Sequence, residues 1–196
     1  MDSWPVPDLA LTGDGPRARS FLALGIGSLH GAFDHVRRLP YAGNSSRTDP
    51  GIVLSEGRGT CCTKHALLAE LGSELGLPEL ALVQCMFRMD DRTVPGIGAV
   101  LERFDLDWIP ESHDFLRWRG EAIDVSSIRL GSEYLEHVLE ERVVAPSSIV
   151  HEKVADHRQY VDEWRRTSPD ARGIDEATFW RAREACVVRL RELLGP

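Results

Sequence analysis

Glu56-Gly57-Arg58-Gly59-Thr60-Cys61-Cys62-Thr63-Lys64-His65-Ala66-Leu67-Leu68 is the stretch whose reading decides the fold. Thr60 has the chemistry of a helix N-cap, because its hydroxyl can accept from a backbone N–H that the first turn leaves unpaired. Leu67, Leu68, Leu71 and Leu75 follow on one face, and Gly76 with Pro78 supplies the stop. A helix is therefore predicted from Cys61 to Leu75. Cys61 stands at its start, where free N–H groups and the macrodipole favour negative charge and lower the pKa of a thiol. Gly57 and Gly59 leave the approach to that thiol bare, so a substrate carbonyl can come close and meet backbone N–H groups as an oxyanion hole.

Upstream, Leu22, Ile26, Leu29, Phe33 and Val36 recur at spacings of four and three, which predicts one amphipathic helix from Ala18 to Arg38, stopped by Pro40. Residues 41 to 51 are turn chemistry throughout and read as a surface loop. Downstream, Leu80 to Met89 alternates as a half-buried strand, and Pro95-Gly96 opens a short helix that runs to Phe104. Asp114 to Trp118 and Ala122 to Ser126 flank Arg119-Gly120 and read as a hairpin. Pairing about that turn sets Phe115 opposite Asp124 and His113 opposite Ser126. His113 and Asp124 are then diagonal neighbours at roughly 7 Å. The rest reads as helices through Leu135, Val138 and Leu139, through Val150, Val154, Val161 and Trp164, and through Phe179, Cys186, Leu190 and Leu194.

A nucleophilic thiol needs a base to take its proton, and the base needs an acceptor that fixes its tautomer. His113 and Asp124 are the candidates for these roles in the inferred register. Gly59-Thr60-Cys61 at a helix start, Gly76-Leu77-Pro78 at its end, His113 on one strand and Ile123-Asp124-Val125-Ser126 on the next resemble the transglutaminase-like branch of the papain-type cysteine proteinase fold. Leu39-Pro40-Tyr41 and the approach Glu56-Gly57-Arg58-Gly59 are similar to that family as well. The resemblance covers about residues 20–130, with residues from about 131 to 196 as a helical extension.

The resemblance implies Cys61 as nucleophile, His113 as general base and acid, and Asp124 as orienter. It implies an α+β domain, a catalytic helix packed on a small antiparallel sheet with extra helices at both termini. The reaction class is thiol-dependent acyl transfer or hydrolysis on an amide or ester, as in a peptidase, amidase or transglutaminase-type enzyme, with a peptide or protein amide as substrate. Tyr41, Asn44 and Gly59 are candidate oxyanion or substrate contacts, and Trp108, which with Trp118 flanks His113, is a candidate cleft wall. The rival expectation is a catalytically silent domain of the same fold that serves as a peptide-binding or scaffolding module.

Composition narrows the field. The 196 residues, 42% of them hydrophobic, are enough for one sizeable core, so a single domain over 1–196 is expected. A formal net charge of −8, from 23 Lys and Arg against 31 Asp and Glu, disfavours nucleic acid as partner. Neither a leader pattern nor a spanning apolar run is seen, so a cytoplasmic protein with no membrane association is expected, its four cysteines kept as thiols. No cofactor is implied, and oligomeric state is not legible. A Cys61-His65 pair, one turn apart, begins a metal site that no other cysteine or histidine spacing completes, so no metal is expected. His151-Glu152 with His157 is not a His-Glu-x-x-His motif, because six residues do not return a helix to the same face. His157, Cys85 and Cys186 read as core, and Glu133, Glu136, Glu140 and Glu141 as the solvated face of a helix.

Overall fold

The computed structural model describes residues 4–46, 48–126, 134–148 and 152–194. Glu133, Val150 and His151 lie outside the described residues. Within them the architecture is α+β, with seven α-helices and a four-stranded antiparallel sheet. The strands are β1 (Ala81–Met89), β2 (Ile109–Trp118), β3 (Glu121–Ile123) and β4 (Val138–Val143), in the order β3-β2-β1-β4. The chain divides into two compact units. One comprises Met1–Gln84, Asp114–Ser127 and Arg142–Val150, and the other Cys85–His113, Ile128–Glu141 and His151–Pro196.

The first unit carries α1 (Pro16–Ala23), α2 (Leu29–Arg38), α3 (Ile52–Glu56) and α4 (Cys61–Glu74). The single helix predicted over 18–38 is two helices, α1 and α2. The apolar spacing continues across the join, but Gly25 takes a left-handed φ of +76° there. Ser28 then starts α2 afresh, its side chain accepting from the Gly31 N–H. Helix α4 is buried on nearly every side from Cys61 to Gly72, polar Thr63, Lys64 and His65 included, which marks it as the central element of its unit. α1, α2 and α3 pack on it. The Glu74 carboxylate accepts from the backbone N–H groups of Arg17 and Ala18, both at 2.9 Å, so an acid of α4 satisfies the first turn of α1. Leu67, Leu68 and Leu71 share one core with Phe21, Phe33 and Val36 and with Leu82, Leu116, Trp118 and Ile123 of the strands.

β2 and β3 form the predicted hairpin in the predicted register, Leu116 opposite Ile123 and Trp118 opposite Glu121. Arg119 and Gly120, with φ of 48° and 92°, make the two-residue turn whose twist suits a hairpin. The ladder ends at Ile123, one residue short of Asp124.

The second unit holds α5 (Gly98–Glu102), α6 (Glu152–Thr167) and α7 (Glu176–Leu194). Its core joins Phe87, Ile97, Leu101, Ile109, Trp164, Phe179 and Cys186. The helix predicted through Leu135, Val138 and Leu139 is instead a 3-10 turn, Tyr134–His137, followed by β4. Three apolar residues at helical spacing are too few to specify a helix. β4 is an edge strand, exposed over most of its length and charged at Glu140, Glu141 and Arg142, as edges that resist further pairing are. Among the described residues no helix is long and apolar enough to cross a membrane.

A buried thiol at the tip of the central helix

Cys61 is the first residue of α4, following an extended Thr60. The Thr60 N–H donates to Thr63 Oγ1 at 3.1 Å, and that hydroxyl donates to Asn44 Oδ1 at 2.8 Å, tying the helix tip to the loop before it. Gly59 pairs with Tyr41 in a parallel bridge. Its N–H donates to Pro40 O and its carbonyl accepts from Ala42 N, both at 3.1 Å. A Cβ at Gly59 would lie 3.0 Å from each of Lys64 Cγ, Thr63 Oγ1 and Val53 Cγ2, so glycine is what lets this backbone come close. The bridge brings the Tyr41 hydroxyl to 3.8 Å from Cys61 Sγ, to which it donates.

The thiol in turn donates to Asp114 Oδ2 at 3.7 Å. Cys61 and Cys62 are each 5% exposed and Asp114 is fully buried. The two sulfurs and a carboxylate oxygen of Asp114 all lie within 4.8 Å of one another.

Two further side chains of α4 reach the same end of the helix. Lys64 is fully buried, its Nζ donating to Leu39 O at 2.6 Å and Ser126 O at 3.4 Å. Burial pushes its pKa down to about 8, against the attraction of Asp124 and Cys61. His65 accepts from the Val125 N–H on Nε2 at 2.8 Å and meets Cys61 O through Nδ1 at 2.7 Å. A carbonyl only accepts, so the ring is neutral with its proton on Nδ1. His65 thereby ties the carbonyl of Cys61 to the turn after β3, and both its nitrogens are engaged in doing so. Asp124 ends that turn, its Oδ1 accepting from Ser126 N at 2.7 Å and lying 3.5 Å from His65 Nε2.

The first unit therefore holds four of the sequence-predicted site residues near the tip of α4: Cys61, Tyr41, Gly59 and Asp124. The Gly59 N–H is engaged with Pro40, which makes its contribution close approach rather than oxyanion donation. Asn44, the fifth, donates to Glu56 Oε2 at 3.0 Å and Arg58 O at 2.9 Å, so its amide hydrogens hold the loop. His113 belongs to the second unit, where its ring lies edge-on to Phe87 and Tyr134, with centroids at 6.2 and 5.7 Å. Trp108 belongs to the second core, stacked edge-on to Trp164 and donating to Asp170 Oδ2 at 2.9 Å.

Sequence reasoning missed Asp114, Lys64 and the positioning role of His65. The signal for the last two was the helical period, since residues three and four beyond Cys61 return to its face. No family model matches this chain, and no curated protein and no solved structure matches it either.

Proposed function

We propose that this chain is a thiol-dependent acyl-transfer or hydrolytic enzyme acting on an amide or ester carbonyl, a peptide or protein amide being the substrate class, with Cys61 as its nucleophile. In this reading the fold belongs to the transglutaminase-like branch of the papain-type proteinases, which the motifs around Cys61, His113 and Asp124 resemble. The observation that carries it is the position of one thiol: first residue of a 14-residue helix, with a hydroxyl at 3.8 Å and a carboxylate at 3.7 Å from its sulfur. The positive end of the α4 dipole faces a charge that develops beside Cys61, and the Tyr41 hydroxyl adds a donor at the sulfur. Attack forms the S–C bond as the thiol proton passes to a base. The C–N or C–O bond of the tetrahedral intermediate then breaks, the proton goes to the leaving group, and water or an amine resolves the thioester. His113 is the base that the resemblance implies, and Asp114 is the acceptor already in contact with the thiol.

Acylation by an activated ester, followed by intact mass and peptide mapping, tests this. One acyl group per chain on Cys61 is expected, with none in Cys61→Ser. A base worth 10² to 10⁴-fold predicts a loss of roughly that size in His113→Ala at neutral pH, and Asp114→Asn reports whether the neighbouring carboxylate shares the proton. Slow and equal labelling of Cys61 and Cys62 would replace the enzyme with a binding module of the same fold.

A further inference from the structure

We propose that Cys61, Cys62 and Asp114 bind one thiophilic divalent cation, with zinc as the reference ion, through two thiolate sulfurs and one carboxylate oxygen. These three donors lie within 4.8 Å of one another, and each residue is 5% exposed or less. Zinc takes thiolate sulfur at about 2.3 Å and carboxylate oxygen at about 2.0–2.2 Å, so the sulfur-to-oxygen edge of a tetrahedral site is about 3.6 Å. Cys61 Sγ and Asp114 Oδ2 are 3.7 Å apart, at that edge length before any ion is added. The Cys62 sulfur lies within 4.8 Å of both other donors, so it closes by about 1 Å at most to reach a sulfur–sulfur edge of about 3.8 Å and a sulfur–oxygen edge of about 3.6 Å.

The donors also stand on rigid supports: both sulfurs on the first turn of α4, and the carboxylate on β2. Two thiolates, a carboxylate and a divalent cation leave one net negative charge. The α4 N-terminus faces that charge, and the Lys64 ammonium, which interacts electrostatically with Cys61, offsets it further. Each metal–sulfur bond forms as its thiol proton leaves for solvent, so one cation displaces up to two protons and binds more tightly as pH rises. Three protein donors leave the fourth position to water.

Occupancy engages the sulfur that the proposed reaction uses, so the cation is a reversible block on acylation. That consequence rests on the function proposed above, whereas the binding site does not.

Calorimetric titration of the metal-free full chain with zinc, paired with the thiolate-to-metal charge-transfer absorption of the cobalt complex, tests the site. The expected result is one cation per chain, a near-ultraviolet thiolate band, and Kd raised at least tenfold in Cys62→Ser and in Asp114→Asn. Cys186→Ser is expected to leave Kd unchanged. Sub-stoichiometric binding, a cobalt spectrum without the thiolate band, or affinity untouched by Asp114→Asn would overturn the site. Circular dichroism of each variant separates lost binding from lost fold. The two proposals fail separately: metal-free chain acylated on Cys61 but indifferent to zinc removes the cation site alone, and zinc bound by a chain that is never acylated removes the enzyme alone.

Discussion

Lys64 is the residue where burial and charge conflict most directly. Its side chain is fully buried beside the backbone carbonyls of Leu39 and Ser126, and its pKa falls from 10.5 to about 8 because burial disfavours the ammonium. Between those two values the unfolded chain holds a proton on this group that the folded chain has released. Folding is therefore opposed by Lys64 below about pH 8, and its contribution rises with pH through the window from about 8 to 10.5. Across that window the melting temperature of the wild type is expected to rise relative to that of Lys64→Met as pH increases. A constant difference between the two proteins would show that Lys64 is not the group that titrates. Cys61 was legible at this scale because a cap, two glycines and a leucine stripe converge on it. Asp114 was not, because no local pattern states which strand carboxylate a distant helix tip will meet.

At the scale of elements, the pair between β2 and α7 carries a testable electrostatic load. Glu111 is buried, and Arg183 donates to both of its carboxylate oxygens, at 2.8 and 2.9 Å. Burial alone would raise the Glu111 pKa. The Arg183 guanidinium, helped by His157, outweighs burial and holds the carboxyl below its ordinary 4.5. A depressed carboxyl contributes stability that is present above about pH 4.5 and is lost as pH falls through the folded-state value.

Arg183→Met leaves the buried carboxylate uncompensated and is expected to cost about 3 kcal/mol near neutral pH, the low end for a broken buried pair because Arg183 is 28% exposed. The gap to wild type should narrow on acidification below pH 4.5, as read from urea unfolding at each pH. The sequence stated most elements plainly, since α4, β1, α7 and the β2–β3 turn each follow from local period, cap or turn chemistry. It did not state the break between α1 and α2, where a glycine interrupts an unbroken apolar period. Nor did it state β4, a strand that exists because β1 offers it a partner.

At the scale of the whole molecule, one chain builds two hydrophobic cores, one in each unit. Leu67 anchors the first and Phe179 the second, both with no exposure. Truncation to alanine is expected to cost about 2–5 kcal/mol at Leu67 and about 3–5 kcal/mol at Phe179, through lost burial and the cavity left behind. Leu193→Ala, at a site 38% exposed, should stay within about 0.5 kcal/mol of wild type. Chemical denaturation of the three variants checks the ranking, and a Phe179→Ala loss no larger than that of Leu193→Ala would refute the second core.

By itself the sequence determined an α+β chain with a helix beginning at Cys61, a hairpin of known register and a thiol set where a helix tip favours charge. Those follow from caps, periods and turn residues acting over a few positions. Only the tertiary structure decided that α4 is buried all round and that Asp114 meets the thiol. It also decided that the turn after β3 meets His65 through the Val125 N–H, while Asn44 and Gly59 serve the loop. Each of those depends on which surfaces meet after residues tens of positions apart are packed together, and local sequence carries no record of that choice.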